Sequence, residues 1–418
     1  MSRSSGQLLI CDLTQSYSPH GGGGISTYLR EKRDYILSNT PHKLMQIVPG
    51  PETRVTERGN HIWVEIEADQ VRGSPNYRFI MNTKPVREVL ARYRPDVIES
   101  LCPWILPWTA IRHRRAFPET ALVAGYRTDF PEAHVYRVGV DVGGKLFGRF
   151  MRFMSYCYGE ITYREFDRVY TLGTDNLKAL AQMKVDHVDM MELGVDTQMF
   201  SPAKADPEYR AKLGLPGEGP LLVYAGRIDN EKKADRLIAM MRHLPRELGA
   251  ALVMLGDGKL RDELMDQAAA ENLPIAFPGF VENREDLARG LASADIYVSA
   301  MADETFGISI IEAQACGLPV VGVNSGAMPA RVDDTIGRLA AVDDVAAMAG
   351  FVQELWHGDH DAMGQRARDR VVARFSWERT FERLLNDIYP PALERAARRG
   401  RSGRHAWLPG RELLRGSV

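Results

Sequence analysis

No stretch of this 418-residue chain stays apolar over the roughly 18 positions that a membrane-crossing helix needs, and the polar N-terminus has no signal-peptide core. Both absences point to a cytoplasmic protein, or to one lying peripherally on the cytoplasmic face of a membrane. Cysteine is scarce. Cys11, Cys102, Cys157 and Cys316 show no Cys-x-x-Cys spacing and no neighbouring histidine pattern, which argues against a zinc site and fits reduced thiols. An excess of either charge is also missing: a formal net charge of -2 excludes a general nucleic-acid binder. What remains, 26% charged and 44% apolar residues, is the profile of a globular protein. The length fits two domains of about 200 residues each, and nothing in it sets an oligomeric state.

Apolar runs at 8–13, 44–48, 61–66, 97–100 and 121–126 read as strands, with helical patterns at 25–37 and 84–93. A second series of strands falls at 168–172, 221–225, 251–255, 275–277, 295–299 and 319–323. Strands alternating with helices imply parallel, doubly wound sheets, whose ligands bind beyond the carboxyl ends of the strands. Two segments are basic. The stretch 143–164 mixes Phe147, Phe150, Phe153 and Met154 with Lys145, Arg149 and Arg152, a pattern shared by membrane-surface helices and ordinary surface helices. The tail carries Arg395, Arg398, Arg399, Arg401, Arg404, Arg411 and Arg415, which makes it either a solvated end or a contact for anionic lipid.

The loops carry the chemistry. Gly21 to Gly24 join the first strand to a helix, so Gly23 and Gly24 offer amides to an anion or an oxygen-rich group. The aromatic and proline-rich stretch 101–108 lines a ligand site or fills core. Leu221-Leu222-Val223-Tyr224-Ala225 runs straight into Gly226, with Arg227 and Lys232 following, an arrangement suited to a diphosphate above a strand end. The organising stretch is 303–321, which reads as loop, helix, turn and strand. Gly307 brings the backbone close to a ligand, and the amides of Ile308 and Ser309 open the helix. Glu304 in the loop and Glu312 on the helix are placed to grip two parts of one polyol; a carboxylate accepting two bonds suits a vicinal diol.

Glu304 and Glu312, followed by Cys316-Gly317-Leu318-Pro319-Val320-Val321, resemble the donor-site signature of the retaining glycosyltransferases of family 4, the glycosyl transferases group 1. The resemblance covers roughly residues 7 to 389. It implies a GT-B fold of class α/β, in which two Rossmann-like doubly wound domains face a central cleft. The expected domains are an acceptor-side one at 1–200 and a donor-nucleotide one at 201–380. A late helix then returns to the first domain within 381–418, with the folded pattern closing at Pro390-Pro391. By the same resemblance Arg227 and Lys232 neutralise a leaving diphosphate, and Glu304 holds donor-sugar hydroxyls. The donor contacts are then Gly226, Phe280, Val281, Thr305, Phe306, Gly307, Ile308, Ser309 and Glu312.

Tyr126-Arg127-Thr128-Asp129-Phe130-Pro131 resembles a family stretch with His where Arg127 stands. Arg127 and Asp129 are therefore candidates for the chemistry, or Arg127 forms a structural ion pair with Asp129 or a neighbour. Lys233 replaces a common Gly, and Leu193 a common Arg.

The implied activity is transfer of a hexose, mannose or glucose, from GDP-mannose or UDP-glucose to a hydroxyl of a glycan or glycolipid, with no metal or other cofactor. The Asp-x-Asp of a metal-dependent transferase is spelled only by Asp359-His360-Asp361, which follows helical sequence and reads as a surface loop. The rivals are an epimerase or phosphorylase on the same architecture, and an idle sugar-nucleotide-binding module.

Overall fold

The computed structural model describes residues 6–15, 17, 24–71, 74–304 and 306–405. It divides into two units, one built from the described residues of 1–171, 176–191 and 381–418, the other from 172–175 and 192–380.

The first unit runs β1 (Leu9–Leu13), α1 (Gly24–Asn39), β2 (Lys43–Gly50), β3 (Arg54–Arg58), β4 (His61–Glu67), β5 (Asp69–Val71), β6 (Ser74–Phe79) and α2 (Lys84–Tyr93). It continues through β7 (Val97–Ser100), α3 (Leu106–Ala116), β8 (Ala121–Tyr126), α4 (Arg137–Tyr163), β9 (Arg168–Thr171), α5 (Thr174–Gln182) and β10 (Val188–Met190). Eight strands form one sheet in the order β10-β9-β8-β7-β1-β2-β4-β3. Every pairing in it is parallel except that of β3 with β4. β1, β7 and β8 are buried along their whole length, as expected of strands covered on both faces. The antiparallel edge β3 and the hairpin of β5 with β6 escape sequence reading. β3 is Arg-Val-Thr-Glu-Arg and almost wholly exposed, and only its register with β4, where Arg54 reaches Glu65 at 2.7 Å, holds it as a strand.

A buried ionic cluster sits where β1 meets β7. Asp12 and Glu99 are register partners, and Lys32 from α1 lies between them. The ammonium group donates to Asp12, to Glu99 at 2.7 Å and to the hydroxyl of Tyr389 at 2.9 Å. Tyr28 and Tyr170 donate to the other Glu99 oxygen at 2.7 and 2.6 Å. Burial alone would raise the Glu99 carboxyl, but the charge of Lys32 and the bonds from Lys32, Tyr170 and Tyr389 hold it down at about 2.

The second unit opens with two short helical pieces, Pro202–Lys204 and α6 (Tyr209–Lys212). Then follow β11 (Leu221–Ala225), α7 (Ala234–Arg242), β12 (Ala251–Leu255), α8 (Arg261–Ala270), β13 (Ile275–Gly279), α9 (Arg284–Ala292), β14 (Ile296–Val298), α10 (Ile308–Ala315) and β15 (Val320–Val323). The unit closes with α11 (Met328–Arg331), β16 (Gly337–Ala340), α12 (Val345–His357) and α13 (His360–Arg374). Its six strands are all parallel in the order β13-β12-β11-β14-β15-β16. That order reverses direction between β11 and β14, so the loops leaving those two strands diverge to opposite faces and leave a crevice at their carboxyl ends. Asp359 belongs to no loose surface loop: its carboxylate caps α13, accepting from the Ala362 amide at 3.2 Å.

The helix α14 (Trp377–Arg383) carries the chain back, and α15 (Tyr389–His405) belongs to the first unit. Pro390-Pro391 therefore does not close the folded pattern. The helix runs unbroken through them: a π-helical turn at Leu384–Ile388, closed by the bond from the Tyr389 amide to the Leu384 carbonyl, leads directly into α15, and the prolines follow this wider turn. The basic tail also differs from expectation. Arg395 donates to the Asp167 carbonyl at 2.7 Å and Arg399 forks onto the Asp167 carboxylate, so both arginines serve the fold; residues 406–418, with Arg411 and Arg415, lie outside the described residues.

Candidate active site

The crevice of the second unit is built by the loops after β11 and β14. The first, residues 226–233, is organised by Asp229. One of its carboxylate oxygens accepts from the Lys232 amide at 2.9 Å and the other from the Arg227 guanidinium, which also reaches Glu231 at 2.9 Å. Both cations are thus set on one rim. Lys233 has φ +51° as it enters α7, a left-handed conformation that explains why glycine is common at this place; its ammonium is anchored on Asp343 at 2.9 Å.

The loop after β14 meets that rim. One Glu304 oxygen accepts from Lys232 Nζ at 3.2 Å, and the other accepts from the Gly307 amide at 3.2 Å. Lys232 Nζ also lies 2.9 Å from Met301 Sδ. Gly307 has φ +82°, which turns the chain into α10 and leaves the Ile308 and Ser309 side chains partly exposed at the helix entrance. The Ser309 hydroxyl accepts from Tyr297 at 2.9 Å, tying the first turn of α10 to β14.

Glu312, on the second turn, is 3% exposed and paired with Arg284 at 2.7 Å; the guanidinium lies 4.8 Å from the centre of the Phe200 ring. A buried carboxylate with a charged partner is no solvated helix face. Arg284 had no motif to mark it.

Phe306 does not turn its ring toward a ligand. It is 3% exposed, against the Arg331 guanidinium at 4.2 Å and Phe375 at 6.2 Å, while Arg331 Nε donates to its carbonyl at 3.1 Å. Burial pushes Arg331 down to about 10, against the pull of Glu192, so it remains charged at neutral pH and braces the loop from behind. Phe280 is 44% exposed and Val281 half-buried just after the edge strand β13. Gly226 follows β11, its amide donating to the Leu255 carbonyl at 3.0 Å. Gly23 and Thr305 lie outside the described residues, and Gly24 opens α1 exposed to solvent.

In the first unit Arg127 and Asp129 do not pair with each other. Arg127 is buried, stacked 3.9 Å from the Tyr28 ring centre, and donates to Tyr170 at 2.7 Å, joining the cluster around Glu99. Asp129 accepts from Tyr126 and Tyr156, both at 3.1 Å. Burial raises its carboxyl, and those two bonds oppose the rise. Among the described residues no group of His, Cys, Asp and Glu has a metal-holding arrangement.

Two cations on one strand-end loop, a carboxylate on the next and a second on the helix that loop enters can hold a diphosphate and the polyols on either side of it. Residues 205–370 match the family model described as glycosyl transferases group 1. The chain is 27% identical over 384 residues to the GDP-mannose-dependent alpha-(1-6)-phosphatidylinositol dimannoside mannosyltransferase of Mycobacterium tuberculosis, covering 90% of this chain and 94% of that one. It is 33% identical over 239 residues to the D-inositol 3-phosphate glycosyltransferase of Xylanimonas cellulosilytica, covering 53% and 55%. The sucrose-phosphate synthase of Thermosynechococcus elongatus superposes with a TM-score of 0.71 at 20% identity, over 95% of this chain and 98% of that one. Residues 205–370 carry a glycosyl transferases group 1 domain, and the chain is a hexosyltransferase of the GT-B fold that takes its sugar from a nucleotide donor.

Proposed function

We propose that this enzyme moves mannose from GDP-mannose to a hydroxyl of a membrane glycolipid, with retained anomeric configuration and without a metal. The observation that carries the reading is the junction of Lys232 with Glu304 at the entrance of α10, 3.2 Å apart at the switch point of the sheet. The relative whose length is almost wholly matched is named for GDP-mannose and a phosphatidylinositol dimannoside, which supports both the donor and the acceptor class.

The chemical task is to stabilise a departing nucleoside diphosphate. The bond from the anomeric carbon to the phosphate oxygen breaks, and its electron pair stays on that oxygen. Arg227 and Lys232 meet the growing charge together with the opening of α10. Glu304 holds sugar hydroxyls, and Glu312 holds the ribose diol. The acceptor oxygen bonds to the anomeric carbon on the face the diphosphate leaves, giving its proton to a phosphate oxygen, so no protein nucleophile is required.

The test gives the purified chain GDP-mannose or UDP-glucose with phosphatidylinositol dimannoside as acceptor, and follows nucleoside diphosphate release and the anomeric coupling of the product. Acceptor-dependent GDP release, an α-linked product and full activity in EDTA are expected. A β-linked product would remove retention. Loss in EDTA with rescue by Mn²⁺ would remove the metal-free mechanism, and donor binding without release under any acceptor would leave a binding module.

A further inference from the structure

The described chain gathers most of its exposed large apolar side chains on one element. α4 presents Val142, Leu146, Phe147, Phe150, Phe153 and Met154 to solvent, with exposures from 40% to 81%. Its covered face carries Gly148, Ser155, Gly159, Thr162 and Tyr163, with Tyr156 and Tyr158 packed against the core, while the phenylalanines point outward. The helix is not straight. Gly144 has φ +77° and ψ 179°, which breaks it into two arms, and a Cβ added to Gly139 on the first arm would stand 2.9 Å from the Gly148 Cα on the second. The result is a closely packed helical hairpin whose turn, around Gly143 and Gly144, lies between Val142 and Leu146. Within α4 the cations Arg137, Lys145, Arg149 and Arg152 outnumber the acids Asp141 and Glu160, and Lys145 and Arg149 are exposed beside the phenylalanines.

We propose that this hairpin docks the enzyme on an anionic lipid bilayer, with the apolar row entering the acyl boundary and Lys145 and Arg149 on the headgroups. The inference deepens the glycolipid reading above and rests on it for its purpose, while its observations are independent of the transfer chemistry. No helix among the described residues is long and apolar enough to cross a membrane, so the hairpin lies in the interface. A second copy of the chain is the poorer occupant, because two such faces would bring like charges together, whereas an anionic surface satisfies the apolar row and the cations at once.

The experiment floats the full chain, without donor or acceptor, on vesicles of equal parts phosphatidylglycerol and phosphatidylcholine, and on phosphatidylcholine alone. The wild type rises with the anionic vesicles. Phe150→Ser with Phe153→Ser lowers partitioning on the order of tenfold or more, and Lys145→Glu with Arg149→Glu abolishes the preference for phosphatidylglycerol. All these side chains are exposed, so unchanged thermal unfolding of both double variants accompanies the expected result. Wild-type protein that stays with the lipid-free fraction overturns the proposal, as do variants that float like the wild type. A wild-type dimer that Phe150→Ser with Phe153→Ser turns into a monomer at unchanged lipid binding assigns the face to a second copy instead. Because no sugar is transferred in this assay, its failure leaves the transfer reading standing, and failure of transfer leaves vesicle binding measurable.

Discussion

Lys232 and Glu312 illustrate two ways in which a charged side chain serves one ligand. Lys232 sits where charge grows only as the diphosphate leaves, so its effect belongs to the transition state. Glu312 would hold a ribose that does not change during reaction, so its effect belongs equally to the ground state. Lys232→Ala is therefore expected to lower kcat by about one to two decades, the equivalent of roughly 1.5–3 kcal/mol for a charge-assisted bond, with donor affinity close to that of the wild type. Glu312→Ala is expected to weaken donor affinity far more than acceptor affinity. Steady-state kinetics with calorimetry of donor binding separate the two, and unaltered donor binding by Glu312→Ala would remove the ribose role. Arg284, paired with Glu312 at 2.7 Å, gives that buried carboxylate a charged partner.

Among the elements, α10 matters most, and its entry depends on one backbone conformation. Gly307 has φ +82°, and a Cβ there would come within 2.5 Å of Ile310 Cδ1 and 3.5 Å of Glu304 Cγ. The left-handed conformation costs a side-chain-bearing residue about 1–2 kcal/mol. Gly307→Ala is thus expected to lower unfolding free energy by about that amount and to weaken donor binding as the Gly307 amide moves off Glu304. Urea denaturation and donor calorimetry check it; a variant that keeps both values would show that the loop has another way into the helix. α15 makes a related point about proline. Pro390 and Pro391 look like a stop, yet the π turn Leu384–Ile388 ahead of them carries the helix on, and Tyr389 beside them is buried against Lys32 and Glu99.

At the level of the molecule, the cluster of Asp12, Lys32, Glu99, Tyr170 and Tyr389 joins β1, β7, β9, α1 and α15 of the first unit. Glu99 is held at about 2, below its ordinary value of 4.5. A carboxyl depressed by folding contributes stability that is fully present above its unfolded value and is lost as pH falls through the folded one. The share of stability that Glu99 contributes is accordingly expected to be lost between pH 4.5 and about 2, against the opposing effect of Asp12, whose carboxyl is raised by burial. Urea midpoints measured across that window test it. Tyr389→Phe removes one bond to the carboxylate and should move the loss to higher pH, while an unchanged profile would show that other carboxylates govern acid unfolding. The variant keeps the ring, so it retains the packing of α15.

The sequence by itself determined the alternation of strand and helix, because an apolar run bounded by glycine, proline and polar residues carries its conformation in its own neighbours. It also determined the placement of Arg227, Lys232 and Glu304 on loops, because each follows a strand end within a few positions, and of Glu312 on the helix that the second loop enters. Only the tertiary structure decided the order β13-β12-β11-β14-β15-β16, which brings the loops after β11 and β14 to one crevice although some seventy residues separate them. It alone joined Arg284 to Glu312, buried Phe306 against Arg331, and moved Arg127 from Asp129 to Tyr170. The physical reason is range. Local propensity is settled by adjacent residues, whereas a salt bridge or a ring contact between distant positions exists only once the sheets have set the distances between them.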